Sequence, residues 1–442
     1  MALSSENRCL LILTSLNLLD YLDRYLVASL GSMVKAELGL SDKAFGFLGT
    51  AFFLVYLLSS PVFGYLGDRW GRVRLMAGGA VLWSLATSLT YWVASYPALV
   101  LARGAVGVGE ASFGTLAPAY LADMLPWSRR GRALGIFYVA IPVGSALAYL
   151  CGGFIGGHWG WRPAFLLAGL PGLALAALVY RLPRIGGSSR GQMAPFGSQP
   201  PASISPPETE NPKPKTASIR AGIAALWRIP TFRRVTLGYG MITFTMGGLA
   251  FWMPRYLEVA KHLSVSQANY LLFATVTLAG GLGTLAGGFL GDRLLNRTPG
   301  APLWVSGLGV ALALPCAALA IFAAHPYIYI PALVGAVFLL FLNPGVLTAV
   351  VVSVAGPQLR ARAVALNIVV IHLVGDVPSP LLIGWISDLW GLKWGVSLTL
   401  VALGAGAALL LAALPHLPRD LAAAGEVENS NYYSVHKIGS SD

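Results

Sequence analysis

Long apolar runs, separated by short polar stretches, follow one another along most of the chain. Twelve of these runs reach about 20 mostly apolar residues, the length that a helix needs to cross a bilayer. They are apolar all round rather than alternating over about ten residues, which excludes membrane barrel strands and leaves helices. The pattern predicts an all-α membrane protein with twelve transmembrane helices, at about 9–31, 44–66, 75–94, 97–122, 133–156, 162–182, 232–254, 266–290, 303–323, 327–352, 361–386 and 394–416.

Composition agrees with this interpretation. The chain of 442 residues is 56% hydrophobic and only 11% charged, whereas soluble globular chains have about 25% charged residues. The first apolar run continues past signal-peptide length and lacks a small-residue cleavage site, so we interpret it as the first helix. Cys9, Cys151 and Cys316 fall in apolar runs without metal-ligand spacing, and we expect them to be small core residues.

The basic residues are distributed unevenly between the predicted loops. Of the 30 Lys and Arg residues, 22 lie on the side that holds both termini, and 6 lie in loops on the other side. Because basic residues concentrate on the cytoplasmic side of membrane proteins, both termini are predicted to be cytoplasmic. This distribution explains the net charge of +12 without a nucleic-acid partner, and anionic membrane lipids are the expected partners of these residues.

The composition changes abruptly between the sixth and seventh runs. Residues 183–230 are rich in Pro, Ser and Gly, which is typical of a flexible linker, and a short amphipathic helix is expected near its end. The equal number of runs on either side predicts an N-terminal six-helix bundle, 1–182, and a C-terminal one, 231–418. The cytoplasmic linker 183–230 joins them, and a cytoplasmic tail, 419–442, follows.

Three pairs of similar segments indicate an internal repeat. GYLGDRWGR resembles GGFLGDRLLNR, PWSRRGRALGI resembles PQLRARAVALNI, and WGWR resembles WGLK. Their separations of 224, 230 and 231 residues are nearly constant, and each pair falls at the same helix junction of its half. Parallel halves of this kind, with a substrate site near the midplane between them, are the architecture of the major facilitator superfamily.

The segment GYLGDRWGR resembles the loop motif that acts as a cytoplasmic latch in major facilitators. Asp68 can face the positive N-terminal end of the eleventh helix, and Arg72 can pair with Asp123. Contacts that form only when the halves close on the cytoplasmic side favour the outward-open state. The alternative is a basic loop with a topological role only. The predicted cytoplasmic gate consists of Gly64, Gly67, Asp68, Arg69, Gly71, Arg72, Asp123 and Arg132.

The fourth run contains two ionisable residues, Arg103 and Glu110. They are seven residues apart and therefore share one helix face with Gly107. Charges within a membrane span are costly, so we expect these side chains to face a cavity and to have partners. For Arg103, the alternative is that its side chain extends so that the guanidinium reaches the external headgroups. For Glu110, the alternative is a structural ion pair.

The first run contains three charges within LLDYLDRYLV. Asp20 and Arg24 are four residues apart and can pair along the helix, and Asp23 points about 60° away from Asp20. One arginine thus has two acids on its own helix and Glu110 on another. An acid whose cationic partner can leave changes its proton affinity with conformation. We interpret Asp23, Arg24, Glu110 and Asp20 as a proton switch in the central cavity.

The C-terminal half contains weaker cavity candidates. His372 and Asp376 are four residues apart near the middle of the eleventh run, before Pro378 and Pro380, which interrupt the helix. A substrate or proton role competes with a hydrogen-bonded packing pair. Asn343 in the tenth run is a further candidate. The weaker cavity candidates are therefore Arg103, His372, Asp376 and Asn343.

Several of these segments together resemble the Spinster family of lipid transporters: NLLDYLDRYLVA, FGYLGDRWGR, ARGAVGVGEASFGTLAPAYLAD and IFYVAIPVGSALAYLCGG. The resemblance covers most of the N-terminal half and is weaker beyond it. It implies transport of lysolipids or sphingosine-1-phosphate-like amphiphiles, with proton coupling through Asp23, Arg24 and Glu110. Asp20 departs from the family pattern, in which an asparagine precedes the tyrosine.

The expected function is secondary active transport of an amphiphilic lipid by a monomer in a bacterial inner membrane, coupled to protons. An organic-anion:proton symporter is the first alternative, because that family shares the Tyr-x-Asp-Arg and Gly-x-Glu-Ala patterns; a lipid scramblase or a transporter-fold sensor is the second. The sequence has no phosphate-binding loop, metal-ligand cluster or nucleophile elbow, so we expect no enzymatic activity and no metal or other cofactor.

Overall fold

The computed structural model describes residues 5–125, 127–183, 219–295, 297–298 and 300–425. Most of the predicted linker and much of the predicted tail lie outside the described residues. Within helices, the side chains that also lie outside the description are those of residues 68, 122, 127–132, 134, 219, 292, 295, 357, 358 and 361. Throughout the described part, the ordered elements are helices and there is no strand.

The N-terminal half, residues 5–183, is a series of long helices. Its helices are α1 (Ser5–Ser29), α2 (Gly31–Leu38), α3 (Asp42–Trp70), α4 (Arg72–Leu89), α5 (Tyr96–Met124), α6 (Trp127–Cys151), α7 (Gly157–Trp159) and α8 (Trp161–Tyr180). A π-helical turn, Gly152–Gly156, connects α6 to α7. The segments α6 and α7 therefore form one continuous rod.

The C-terminal half, residues 219–425, follows the same plan. Its helices are α9 (Ile219–Arg228), α10 (Pro230–Lys261), α11 (Val265–Thr275), α12 (Gly281–Leu295), α13 (Ala301–Phe322), α14 (Pro326–Phe341), α15 (Asn343–Val354), α16 (Gly356–Ile371), α17 (Pro378–Trp390), α18 (Leu392–Leu411) and α19 (Leu417–Ala423). π-Helical turns connect α11 to α12 and α16 to α17. The short helix expected at the end of the linker is present as α9.

Ten helices of the described part are long and apolar enough to cross a membrane, judged by length and composition. Several of these spans combine two shorter helices, as α11 and α12 do. Helices α1 and α5 are not among the ten, although they have 25 and 29 residues. Helix α1 contains the charges Asp20, Asp23 and Arg24, and α5 contains Arg103 and Glu110.

A Trp-Gly dipeptide separates consecutive helices at three places. Gly71, Gly160 and Gly391 have φ angles of 87°, 81° and 91°, in the region that glycine adopts without strain. Each glycine ends one helix and precedes the next, so the chain reverses within very few residues. Two of the three lie in the repeated WGWR and WGLK segments, which explains why that landmark occurs once in each half.

The two halves share one apolar core at one end of the molecule. We call this the closed end; α1 ends there and α3 begins there. Its buried core combines side chains of both halves, among them Leu26, Phe45, Leu48, Trp252 and Tyr256. Toward the opposite end, buried residues form one core largely within the N-terminal half and another within the C-terminal half.

Helices α3 and α17 touch through their backbones at the closed end. A Cβ atom on Gly46 would lie 2.1 Å from the carbonyl oxygen of Pro380, and one on Gly384 would lie 2.3 Å from that of Asp42. Only glycine fits at these two positions without a shift of the neighbouring backbone. The two halves therefore pack across a seam that is free of side chains at both points.

Candidate functional site

Arg24 of α1 binds two carboxylates at once. Its Nη2 atom lies 2.8 Å from Asp20 Oδ1 and 2.8 Å from Glu110 Oε2, and its Nε atom lies 3.1 Å from the same Glu110 oxygen. The side chain of Arg24 is 9% exposed, that of Asp20 2% and that of Glu110 0%. The structure thus brings Asp20, Arg24 and Glu110 together, as the sequence predicted.

Local sequence explains this geometry. Asp20 and Arg24 are one helical turn apart on α1, which places both on one face. Gly107 on α5 allows close packing against α3, because a Cβ atom there would lie 2.7 Å from the Phe52 carbonyl oxygen. Aromatic rings surround the guanidinium carbon, at 4.4 Å for Tyr21 and 5.2 Å for both Phe52 and Tyr56. These rings limit the contact of Arg24 with water.

Asp23 has a different partner from the one that the sequence indicated. Its Oδ2 accepts a hydrogen bond from the Thr87 hydroxyl of α4, both residues being buried. Its Oδ1 is buried without a hydrogen-bond partner. The expectation that Asp23 competes for Arg24 is not met in this conformation, because Arg24 turns toward Asp20 and Glu110. Thr87 gave no signal in the sequence, since one threonine in a span is unremarkable.

Arg103 does not reach an external headgroup region. It is 2% exposed, its Nη2 donates to the Arg24 carbonyl oxygen at 3.4 Å, and its guanidinium lies 4.9 Å from the Phe52 ring centre. It interacts electrostatically with Asp23 and Glu110. The alternative in which Arg103 extends along its stem to the surface is therefore wrong for this structure. Arg103 belongs to the buried charge cluster.

His372 and Asp376 form the pair that their spacing predicts. His372 Nδ1 lies 2.6 Å from Asp376 Oδ2, within the π-helical turn that joins α16 to α17. The imidazole side chain is 29% exposed and the carboxylate 11%. Asp376 packs against Gly247 of α10, where a Cβ atom would lie 2.2 Å from its Oδ1. A nitrogen of a partly exposed ring thus stays available beside a fixed carboxylate.

Asn343 lies at the junction of α14 and α15 and is fully buried. Its amide nitrogen donates to the carbonyl oxygens of Leu339, at 3.2 Å, and Leu340, at 2.9 Å. Its Oδ1 has no hydrogen-bond partner. In this conformation the amide donors bind the residue's own helix rather than projecting into a polar cluster with His372 or Arg24.

The predicted cytoplasmic gate is described only in part, because the side chains of Asp68 and Arg132 lie outside the described residues. A Cβ atom on Gly67 would lie 2.4 Å from a Leu116 methyl group, so this glycine allows α3 to pack closely on α5. Gly64 faces the same helix with more room, Gly71 makes the turn between α3 and α4, and the Arg69 guanidinium lies over the Tyr65 ring.

Arg72 pairs with Asp123 at 2.5 Å, as the sequence predicted. Both residues belong to the N-terminal half, and the pair exists here while the halves meet at the closed end. In this structure the contact therefore does not join the two halves. The pair fixes α4 to the end of α5 within one half.

Asp42, the first residue of α3, joins the two halves at the closed end. Its carboxylate accepts hydrogen bonds from Lys35 and Ser387, and Arg255 Nε of α10 lies 3.2 Å from its Oδ1. In return Asp388 of α17 accepts from the backbone N–H groups of Asp42, at 2.7 Å, and Lys43, at 2.9 Å.

Sequence reasoning missed this cluster. The only local signal was Ser41-Asp42 at a helix start, which is typical of an N-cap and says nothing about a partner in the other half. The Ser41 hydroxyl does accept from the Ala44 N–H. Asp388 binds the two N–H groups that the cap leaves free, and so completes the end of α3 from the opposite half.

Further hydrogen bonds between the halves surround this cluster. Asn269 donates to the Ser29 carbonyl at 2.9 Å, Ser266 to the Gly153 carbonyl at 2.7 Å, and Tyr149 to the Ala250 carbonyl at 2.9 Å. Thr50 donates to the Val377 carbonyl at 2.6 Å, deeper along α3. These bonds all connect chain segments near the closed end.

A separate ion pair stabilises the same end within the N-terminal half. Glu37 of α2 binds Arg162 at 2.7 Å and accepts from the Trp161 indole at 2.6 Å. The hydrogen bonds from Arg162 and Trp161 lower the pKa of Glu37. Among the residues that the structure describes, no group of three His, Cys, Asp or Glu side chains could hold a metal ion.

The sequence matches known proteins over most of its length. The model of the Major Facilitator Superfamily matches residues 13–375. Protein spinster homolog 1 of Bos taurus is 35% identical over 418 residues, which cover 89% of this chain and 75% of that protein. The Homo sapiens protein of the same name is 34% identical, with 87% and 73% covered.

Solved structures share the fold. A bacterial homologue of the human lysosomal transporter Spinster, in an inward-facing and unoccupied conformation, superposes with a TM-score of 0.81 at 23% identity over 95% of this chain and 99% of that one. A D-xylose-proton symporter has a TM-score of 0.70 at 18% identity, over 94% and 99%. At these identities the likeness shows the fold alone, whereas the sequence matches show the family. The chain belongs to the Spinster family of the major facilitator superfamily, a family of membrane transporters.

Proposed function

We propose that this protein moves an amphiphilic lipid or lysolipid across a membrane by alternating access, driven by protons. One observation supports proton coupling above the others: Arg24 is buried between Asp20 and Glu110 on helices that pack among the spans. Ionisable side chains are costly at such a depth and mark ion or proton pathways. The major facilitator fold supplies the two halves that such a mechanism moves.

The lipid substrate is supported by family membership and by the N-terminal segments that resemble lipid transporters of this family. The structural relatives include proton symporters of small polar molecules, such as the D-xylose-proton symporter. An organic anion is for that reason the competing substrate class. Either substrate would bind between the halves, near Arg24 and His372.

We further propose twelve spans, with α1 and α5 added to the ten apolar ones, in two six-helix bundles with boundaries at 182 and 231. The distribution of Lys and Arg supports cytoplasmic termini. With that orientation the closed end faces outward, and the structure corresponds to an inward-facing state. We propose a monomer in a bacterial inner membrane, with protons as the coupling ion, no cofactor and no nucleic-acid partner.

We also propose that the cytoplasmic gate closes in the outward-open state. In the alternate, outward-open state, Asp68 and Arg69 would meet the opposite half at the end that lies away from Asp42. Arg72 and Asp123 would keep their pair in both states, since it lies within one half. The outer cluster around Asp42 and the inner gate would then close alternately.

A proteoliposome assay tests the function. Purified protein is reconstituted, and uptake of a panel of lysolipids and of organic anions is measured with and without an imposed pH gradient. Uptake of a lysolipid that rises with the gradient supports the proposal. Gradient-driven uptake of organic anions alone would favour the competing symporter, and lipid equilibration without any effect of the gradient would favour a scramblase. No flux of either class would favour a sensor.

A further inference from the structure

The buried cluster around Arg24 does not balance its charges when all members are ionised. It contains two cations, Arg24 and Arg103, and three acids, Asp20, Asp23 and Glu110. Each acid is at most 2% exposed. A net negative charge in so dry a site is costly, and the usual response of a protein is to bind a proton. One proton would bring the cluster to neutrality.

The geometry indicates which acids hold that proton. Asp20 Oδ1 and Glu110 Oε2 both lie 2.8 Å from a single atom, Arg24 Nη2. Two carboxylates that share one cation repel each other, so that the second ionisation of the pair is disfavoured. When one of them is protonated, its O–H group can donate to the other, and the pair then titrates as a unit.

Asp23 differs from this pair in both its partners. The Thr87 hydroxyl donates to its carboxylate, which favours the ionised form. Arg103 supplies the nearby cation: its electrostatic interaction with Asp23 is larger than that with Glu110, and its hydrogen bond goes to the Arg24 carbonyl oxygen rather than to an acid. Asp23 and Arg103 thus balance each other, and Arg24 can balance only one of its two acids.

We propose that Asp20 and Glu110 share one proton beneath Arg24, while Asp23 stays ionised opposite Arg103. As a coupling site this pair rests on the proposed function, but the position of the proton can be tested without a substrate. The remaining titratable groups that face the pair are the phenols of Tyr21 and Tyr25 on α1 and of Tyr56 on α3. All three are neutral at neutral pH.

The Asp20–Glu110 pair is connected to the closed end through Arg24 and α3. The Arg24 guanidinium lies against Phe52 and Tyr56 of α3, and the first residue of that helix is Asp42. Loss of the shared proton would leave two carboxylates on one guanidinium and draw Arg24 more tightly toward them. The shift would act on the two rings, and thereby on the helix that holds the halves together.

Infrared spectroscopy of the reconstituted protein tests the charge balance. A protonated carboxyl group has its own C=O stretching band, which an ionised carboxylate lacks. We expect this band in the wild-type protein at neutral pH and its loss in both Asp20→Asn and Glu110→Gln, because one acid then remains for Arg24. Use of two variants guards against a folding defect in one. Persistence of the band in both, or its absence from the wild type, would overturn the proposal.

Two further variants, which leave the charge count unchanged, locate the proton. Thr87→Val removes the hydroxyl that touches Asp23, with Thr87→Ser as its matched control, and Glu110→Asp alters the pair itself. We expect the band to shift in Glu110→Asp and to stay in place in Thr87→Val. The reverse result would place the proton on Asp23. Gradient-independent uptake by the wild type would contradict the proposed function and leave this assignment standing.

Discussion

Arg255 of the C-terminal half lies 3.2 Å from Asp42 of the N-terminal half. The same carboxylate binds Lys35 and Ser387, and it is 8% exposed. A buried carboxylate that accepts from three donors loses much of its stabilisation when the halves separate. The cluster around Asp42 therefore favours the conformation in which this end is closed.

Arg255→Met should shift the population toward the state that is open at this end. Removal of the cation leaves Asp42 with fewer donors in the closed conformation, whereas the open conformation exposes it to water in either protein. Distances between spin labels at the starts of α3 and α11 measure the shift. Arg162→Met is the matched control, because Arg162 binds Glu37 within one half. An equal shift in both variants would show that the effect is not specific to the cluster.

Asp23→Asn should abolish or uncouple transport in a protein that still folds and purifies. The substitution leaves Arg103 without its ionised neighbour and keeps the size of the side chain. Uptake with and without a pH gradient measures the effect, with Thr87→Ser as a control that retains the hydroxyl. Wild-type gradient-driven flux in Asp23→Asn would remove Asp23 from the coupling mechanism.

Arg24→Ala should be at least as severe. It leaves Asp20 and Glu110 buried without their cation, and removal of one partner from a buried ion pair costs about 3–5 kcal/mol. Protonation of both acids would offset part of that cost. Thermal unfolding in detergent and substrate uptake report the two effects, and Arg24→Lys, which keeps the charge, should be milder. Normal uptake by Arg24→Ala would exclude a central role for the cluster.

Asp68→Asn should shift the population toward the inward-open state if the cytoplasmic gate closes in the outward-open one. The amide cannot replace the charge that faces a helix N-terminus. Distances between spin labels on the two cytoplasmic faces provide the measurement, and Asp123→Asn is the comparison within one half. An unchanged distance distribution in Asp68→Asn would refute the latch.

Stability at the closed end should fall in acid. Hydrogen bonds from Arg162 and Trp161 lower the pKa of Glu37 in the folded protein relative to the unfolded chain. Their stabilising effect is therefore complete above the ordinary glutamate pKa of about 4.3 and is lost as the pH falls through the lower, folded-state value. Thermal unfolding of wild type and Glu37→Gln should differ at neutral pH and converge in strong acid. A difference that does not depend on pH would contradict this account.

The sequence predicts the helices and the central charge cluster well, for separate reasons. In a membrane every backbone polar group needs an internal partner, so a long apolar run can form little other than a helix. Asp20 and Arg24 pair because of local helix geometry, and Glu110 joins them because a buried charge in a span needs a partner. The first step is local to α1, whereas the second predicts that Glu110 has a partner but depends on packing for which helix supplies it.

Other contacts depend on packing and were not predictable. Thr87 meets Asp23 only because the fold brings side chains of two different helices together, and nothing in the threonine's own neighbourhood indicates an acid. Asp42 reads as an ordinary first-turn acid until α17 places Asp388 and Ser387 opposite it. Proximity in sequence predicts that Asp23 pairs with Arg24, but the helix turns the two side chains to different neighbours.

The glycine contacts between α3 and α17 have a mechanical consequence. Side chains that interdigitate must leave their pockets one by one when two helices part, and each departure adds friction. At Gly46 and Gly384 the backbones of the two helices are in direct contact, so the helices can separate at these points without withdrawing a glycine side chain from a pocket. A single methyl group at either glycine would act as a wedge. Separation of the two halves at the closed end thus depends on the absence of a Cβ atom at both glycines.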